Sequence, residues 1–363
     1  MLKGVSLPLN HATVLAMPTR LARSISPESP GQTIQDVLAG ARPPVDPGHW
    51  LGELVRAGFG GLPLPGSGGT LLRWRALAAV AAVDLGLAKL FEGHTDALAI
   101  LAELQARVDA PEDACWGVWC AEPPDMRVGI RAHAAGGVMV SGLKGWCSGA
   151  AALSHAIVSG WNGAGEPCLA AVALAQPGVT VTTQGWHAVG MRSSASVNVV
   201  FDQARGAAVG APGAYVDRPG FLHGGAGVAA CWYGALAGIA ERLRAAVAKG
   251  RPDPYRLAHL GAVDVALAEA RAVLREAAAA IDAHPEDGCV LHTARARLAV
   301  EAAAEDVLNR VPRALGAGPL CRDAALAQAL ADLPVFIRQS HAERDQAAHG
   351  KHVAQHGEPP WTL

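Results

Sequence analysis

The stretch GLKGWCSGAAALSHAIVSG, residues 142–160, has the pattern of a strand, a loop and a second strand. Short apolar runs stand on both sides of a segment of glycine, alanine and serine, which is typical of strands joined by a tight connection. Trp146 lies two residues before Ser148, although only 5% of the chain is aromatic. The sequence therefore places a large flat ring and a hydrogen-bonding hydroxyl close together at the end of a strand.

Strand-like runs continue on both sides of this stretch. Residues 113–212 contain short apolar runs separated by glycine-containing turns, which predicts an antiparallel β-domain of about six to eight strands. Residues 1–112, rich in alanine and leucine from Leu71 onward, predict an N-terminal helical domain. Residues 213–363 have apolar positions at helical spacing and predict a C-terminal four-helix bundle. The predicted fold class is α+β.

Glycines and prolines predict helix boundaries in the C-terminal region. The GGAG stretch at 224–227 is expected to precede a helix, as glycine-rich helix entries often do. Pro334 is expected to open a helix, because proline fits the first turn and disrupts an interior. Gly350 is expected to close that helix.

Composition excludes several classes of partner. The 30 basic and 32 acidic residues are nearly balanced and dispersed, so the chain has no electrostatic footprint for nucleic acid or an anionic membrane. No apolar run reaches the length of a membrane span. The seven cysteines include no C-x-x-C pair, which favours a reducing compartment and predicts no metal site. We expect a cytoplasmic protein that acts on a small molecule.

Four motifs occur in an order that is typical of one family. They are WCAEP (119–123), GLKGWCSGA (142–150), GWHAVGMRSSASVNVVFDQA (185–204) and ALGAGPL (314–320). From about residue 50 to 345 the chain resembles the acyl-CoA dehydrogenase superfamily of flavoproteins. The resemblance implies the order helical domain, β-domain and bundle, an FAD cofactor, and a homodimer or homotetramer.

The resemblance assigns residues to the flavin ring. It implies that Trp146 packs on the isoalloxazine and that the Ser148 hydroxyl donates a hydrogen bond to flavin N5. A flat apolar surface and a polar group at N5 are what a protein must supply to orient this cofactor. The strand end formed by Trp119, Cys120 and Ala121 is expected to run past the ring. Since Ala121 replaces the family threonine, any hydrogen bond there must come from the backbone.

The resemblance also assigns residues to the other half of FAD. It implies that Gly316 and Gly318 let the backbone approach the adenosine-pyrophosphate portion of a partner subunit's FAD. Arg251 is the arginine nearest to the position expected for a pyrophosphate contact, although the Phe-Gly pair that normally follows is missing.

The catalytic base of a dehydrogenase is missing from its expected place. α,β-Dehydrogenation of a thioester needs a carboxylate in a dry pocket. In the family this glutamate follows an Arg-Asp pair by nine residues, and counting from Ala331-Asp332 leads to Ser340. Either His341 or Glu343 is then the base of a dehydrogenase, or His94 and His341 serve the family's monooxygenase branch. In a third interpretation the site has lost its chemistry.

The resemblance thus predicts FAD-dependent dehydrogenation of an acyl thioester, with an electron-accepting flavoprotein or a reductase as partner. The alternative is a monooxygenase that uses reduced flavin and O₂, and the third possibility is a non-catalytic member.

Several of these residues have structural interpretations as well. Arg338, His341 and Asp345 lie at helical spacing and are equally consistent with a salt-bridged surface. Glu92 and His94 are consistent with a buried polar pair. Lys144 is predicted to be a solvated charge at a strand end.

Overall fold

The computed structural model describes residues 33–123, 125–251, 253–355, 357 and 360–361. Residues 1–32 of the predicted N-terminal domain lie outside the described residues. No helix among the described ranges is long and apolar enough to cross a membrane. All seven cysteines belong to the described ranges and are free thiols.

Residues 33–112, the described portion of the N-terminal part, contain four α-helices. They are α1 (Ile34–Val37), α2 (Pro47–Arg56), α3 (Thr70–Ala81) and α4 (Leu85–Glu103). Aspartate side chains cap two of them: Asp46 accepts from the backbone N–H groups of the first turn of α2, and Asp84 accepts from the Leu87 N–H of α4. Most of α4 is buried, because it packs against α2, α3, the first strand and the long helix Pro219–Lys249 of the C-terminal part.

Seven strands form the middle part. They are β1 (Trp116–Trp119), β2 (Val128–Ala132), β3 (Val138–Cys147), β4 (His155–Trp161), β5 (Pro167–Ala173), β6 (Val179–Val181) and β7 (Val197–Val209). The strand order is β1-β4-β2-β3-β7-β5, and β5 also pairs with β4. Because of that extra pairing, five strands close into a small barrel.

The number of strands agrees with the prediction, but the prediction of a wholly antiparallel domain is wrong. β1 pairs with β4 in parallel, and so does β2 through Gly129 and Trp161. After β1 the chain forms the β2–β3 hairpin. β4 then pairs alongside β1 and runs in the same direction as β1.

Helices form the rest of the chain. They are α5 (Ala214–Asp217), α6 (Pro219–Lys249), α7 (Pro254–Ala283), α8 (Val290–Leu315), α9 (Ala317–Arg322), α10 (Ala324–Phe336) and α11 (Glu343–Gln355). The helices α6, α7 and α8 pack against one another, and α10 packs on α6. The C-terminal bundle thus has three long helices and one short one.

Three predicted helix boundaries are wrong. The GGAG stretch (224–227) lies inside α6, which begins at Pro219. Pro334 lies inside α10 rather than at its start, two residues before the helix ends, where the missing N–H affects the last turn alone. Gly350 lies within α11, which continues to Gln355. In each case packing and neighbouring residues outweigh a local helix-breaking tendency.

Lys144 is buried and is not a solvated charge. Its ammonium Nζ donates to the Ser159 carbonyl oxygen at 3.0 Å and to the Ser159 hydroxyl at 2.8 Å. The side chain is 1% exposed and lies 4.0 Å from the Glu122 carboxylate. Burial lowers the pKa of Lys144, while charges nearby act in the opposite direction. The pairing of β3 within the barrel, which the local sequence does not reveal, causes this burial.

Candidate functional site

A bulge at the end of β3 presents Trp146 to the surface. The register between β3 and β7 shifts between Lys144 and Cys147, so the backbone carries an extra residue there. Trp146 adopts a left-handed backbone conformation with φ of +58°. Its side chain is 50% exposed, an unusual state for so large an apolar group. The bulge therefore provides a flat apolar surface beside the barrel.

Ser148 follows directly and belongs to a row of three serine hydroxyls. Its Oγ lies 2.8 Å from the Oγ of Ser196, which lies 2.9 Å from the Oγ of Ser194. The Ser194 hydroxyl donates to the carbonyl oxygen of Met191 at 2.7 Å. Sequence reasoning missed Ser194 and Ser196 as site residues, although they lie within the SSAS stretch of a quoted motif.

A narrow cleft between α4 and β1 leads to Ser148. It has room for about one water molecule, and it is lined by Lys89, Leu90, Gly93, Gly117, Val118, Trp119, Ser148 and Leu153. The indole N–H of Trp119 donates to the Ser148 carbonyl oxygen at 3.1 Å, which fixes the end of β1 against the Ser148 turn. Thus the structure brings Trp119 and Ser148 together, as the resemblance implies.

The other two residues of this strand end differ in exposure. Ala121 is exposed, and the Cys120 carbonyl oxygen accepts from the Ser159 hydroxyl at 3.3 Å. Burial raises the pKa of the Cys120 thiol to about 11, so this cysteine is a neutral thiol at physiological pH. Burial likewise raises the pKa of Cys147 to about 12.

One ion pair stands at the wall of the cleft. The Lys89 Nζ lies 2.8 Å from the Glu92 carboxylate, with side chains 17% and 11% exposed. Burial opposes the charge of Lys89, but the Glu92 carboxylate outweighs it and raises the pKa of Lys89. The predicted pairing of Glu92 with His94 is therefore wrong: these neighbours leave α4 in different directions, and Lys89, one turn earlier, is the residue that reaches Glu92.

His94 is buried and does not line the cleft. Its Nδ1 accepts from the Trp116 backbone N–H at 3.2 Å, so the neutral ring carries its proton on Nε2. A Cβ at Gly60 would lie 2.6 Å from Nε2, and this nitrogen has no hydrogen-bond partner in the described ranges. Burial, with a smaller effect of Arg73, lowers the pKa of His94 to about 4.

The position expected for the dehydrogenase glutamate is occupied by Ser340, which is buried. Its hydroxyl donates to Glu301 on α8 at 2.5 Å, and Arg338 pairs with the other oxygen of the same carboxylate. His341 and Glu343 are both exposed, and the His341 ring lies 3.4 Å from Asp345. The predicted single helical face is wrong, because Arg338 lies in a 3₁₀ turn and His341 precedes α11, although the His341–Asp345 contact forms.

The residues predicted for the adenosine half of FAD lie at junctions between the C-terminal helices. Arg251 is exposed between α6 and α7. Gly316, with φ of +71°, separates α8 from α9, and Gly318 lies within α9. A Cβ at either glycine would meet nothing within 4 Å in this chain. The structure does not bring these residues into the cleft that Ser148 lines.

Comparison with known proteins identifies the fold. No protein-family model matches the sequence, and no curated protein does. Solved structures match over most of the chain. KijD3, in complex with FMN and dTDP-3-amino-2,3,6-trideoxy-4-keto-3-methyl-D-glucose, is 22% identical over 91% of this chain and 95% of its own, with a TM-score of 0.74. TdsC from Paenibacillus sp. A11-2, with FMN and indole, is 19% identical over 90% and 94%, with a TM-score of 0.75.

A third similar structure is the methanesulfinate monooxygenase MsuC from Pseudomonas fluorescens, 21% identical over 89% of this chain and 92% of its own, with a TM-score of 0.68. These likenesses show that the chain has the acyl-CoA dehydrogenase-like fold. TdsC and MsuC are both named as monooxygenases, which is in line with the prediction of an enzyme.

The predicted cofactor FAD is wrong. The structures of KijD3 and TdsC contain FMN. FMN has no adenosine and no pyrophosphate. It therefore lacks the portion of FAD that Gly316, Gly318 and Arg251 were predicted to contact.

Proposed function

We propose that the protein is an FMN-dependent monooxygenase, the alternative that the resemblance left open. The observation that carries the proposal is Ser340, because a buried hydroxyl bonded to Glu301 stands where a dehydrogenase needs a free carboxylate. The likeness in fold to TdsC, a monooxygenase also solved with FMN bound, supports the same function.

The residues around the bulge fit FMN. Trp146 presents an indole that is half exposed and has no aromatic partner in the described part of the chain, as a stacking surface for the isoalloxazine requires. Ser148 is half-buried and adjacent, so its hydroxyl can reach a ring nitrogen. When bound and reduced, FMN supplies two electrons and activates O₂.

The narrow cleft next to Ser148 has a largely apolar lining. Leu90, Val118, Trp119 and Leu153 line it, and Lys89 contributes a charge that Glu92 holds in place. KijD3 was solved with an amino sugar nucleotide, and the dibenzothiophene and methanesulfinate monooxygenases are named for sulfur compounds. We therefore propose an amine or a reduced sulfur compound as the class of substrate.

Partners follow from this chemistry. A monooxygenase without an electron donor of its own needs reduced FMN from a separate reductase, and we propose such a partner. We also propose that the protein forms a homodimer or homotetramer, which size-exclusion chromatography with light scattering would test. Apolar side chains on the site surface, Trp146 at 50% and Val189 at 70% exposure, are consistent with an interface.

The experiment first compares two cofactors and then follows the transfer of oxygen. FMN and FAD are titrated into the purified protein, and FMN is expected to bind more tightly. Reduced FMN and isotopically labelled O₂ are then supplied with a panel of amines, thioethers and sulfinates, and one labelled oxygen atom is expected in a product. Trp146→Ala should weaken FMN binding, whereas Trp361→Ala, at a tryptophan 76% exposed near the C-terminus, is the matched control.

Other outcomes would overturn the proposal. Anaerobic bleaching of bound flavin by an acyl-CoA thioester, without oxygenation of any compound, would establish the dehydrogenase, with His341 or Glu343 as its base. Absence of flavin binding would favour the non-catalytic interpretation.

A further inference from the structure

The three serines near Trp146 have a determined direction of hydrogen bonding. Ser194 lies 2.7 Å from the Met191 carbonyl oxygen, which can accept alone, so the Ser194 proton points to Met191. In the short contact between Ser196 and Ser194, the Ser196 hydroxyl must then donate and the Ser194 oxygen accept. For the same reason the contact between Ser148 and Ser196 needs the proton of Ser148. Each hydroxyl has one proton, so the row runs from Ser148 to Met191.

The direction of this row decides what Ser148 offers to a ligand. Its proton is used within the protein, and the lone pairs of its Oγ are what remains. Flavin N5 carries a hydrogen in reduced FMN and a lone pair in oxidised FMN. An acceptor at this position therefore favours the reduced cofactor, and the sequence-based expectation of a donor from Ser148 to N5 has the opposite direction.

The far end of the row is anchored, so its direction cannot easily reverse. The Met191 N–H donates to the carboxylate of Asp332, and the Trp186 indole N–H donates to the Met191 carbonyl oxygen at 3.1 Å. Asp332 is fully buried on α10. Gly190 packs so closely on α10 that a Cβ there would overlap the Ala331 carbonyl oxygen. The carbonyl that ends the row is thus held in place by another element.

We propose that Ser194 and Ser196 are positioning residues that fix the Ser148 hydroxyl as an acceptor, and that the site thereby selects reduced over oxidised FMN. The inference rests on the proposed function in that FMN must bind beside Ser148. It adds two residues to the site and gives a physical basis for loading with a cofactor that has already been reduced elsewhere.

The test measures binding without turnover. Dissociation constants for oxidised FMN and for dithionite-reduced FMN under nitrogen are determined by ultrafiltration, and the midpoint potential of bound FMN by spectroelectrochemistry. Ser196→Ala removes the acceptor of the Ser148 proton and releases it for an outward hydrogen bond, whereas Ser194→Ala lets Ser196 donate to Ser148 instead and so permits the same outward bond. Each is expected to lower the preference for reduced FMN about three- to tenfold, which corresponds to about 14 to 30 mV for a two-electron couple.

The chain provides a matched control in the neighbouring serine. The Ser193 hydroxyl is buried and has no hydrogen-bond partner in the described ranges, so Ser193→Ala should leave the preference unchanged. Ser196→Thr retains the hydroxyl and should retain the preference. In a Ser148→Ala background, Ser196→Ala should have no further effect, because the residue through which it acts is gone.

The outcomes separate the two proposals. If the wild-type protein binds no FMN, the proposed function fails. If it binds FMN but Ser196→Ala and Ser194→Ala both keep the wild-type preference, the serine row has no such role. An equal effect of Ser193→Ala would also refute it, since the cause would then be a general disturbance of the loop.

Discussion

His94 should make the protein sensitive to acid, and its replacement by asparagine should remove that sensitivity. The ring is 2% exposed, and burial holds its pKa at about 4, against 6.5 for an unperturbed histidine. Between these two values the unfolded chain binds a proton that the folded protein does not. Stability therefore falls as pH decreases from 6.5 towards 4.

The size of the effect follows from the difference between the two pKa values. Each pKa unit is worth about 1.4 kcal/mol, so the free energy of unfolding should fall by roughly 3 kcal/mol over this window because of His94 alone. Asp96 works in the opposite direction, since burial raises its pKa to about 6 and favours the folded protein in acid. Comparison of wild type with a single variant cancels that contribution.

The assay is urea unfolding at pH values from 7.5 to about 4, with the wild type compared to His94→Asn. Asparagine can keep an oxygen acceptor for the Trp116 N–H but does not titrate here. The difference in unfolding free energy should change by roughly 3 kcal/mol in favour of the variant as pH falls. His352→Asn, at an exposed position on α11, is the control and should give a flat difference. A flat difference for His94→Asn as well would refute the assignment of a buried neutral imidazole.

Three further changes test the packing around the site, each by chemical unfolding at neutral pH. Glu92→Gln should cost about 3 to 5 kcal/mol, because the Lys89 ammonium is then buried without its partner, and Lys89→Met should cost about as much, because it leaves the Glu92 carboxylate buried and unpaired. The double variant Lys89→Met/Glu92→Gln should cost less than the two single losses added together, and strict additivity would contradict the importance of an unpaired charge. Ser340→Glu places a second carboxylate against Glu301 and should destabilise the protein by a few kcal/mol without creating acyl-CoA dehydrogenase activity. Bleaching of its flavin by acyl-CoA would show instead that a carboxylate at position 340 can act as the base. Gly190→Ala should lower both stability and FMN affinity by displacing the loop from α10, and an unchanged FMN affinity would separate that loop from the cofactor site.

Local patterns in the sequence were sufficient for the architecture. Helical spacing before and after a run of short strands predicts helices, a β-domain and helices, since burial of one face imposes a period of 3.6 or 2 on each element. The Trp146 and Ser148 motif likewise identified the strand end that the structure shows as an exposed bulge beside a cleft. The parallel pairing of β1 with β4 was missed, because strand partners depend on the path of the chain between them.

The chemistry of the site was decided by the tertiary structure, because it depends on which side chains meet. Ser340 is bonded to Glu301, 39 residues away in sequence, and this contact gives a structural role to the residue at the position counted for the dehydrogenase glutamate. The direction of the serine row depends on the Met191 carbonyl, which Asp332 holds from a distance of 141 residues. Sequence determines which groups a chain has and their local conformation. Burial and distant partners determine whether a lysine is solvated, a histidine is charged or a serine donates its proton.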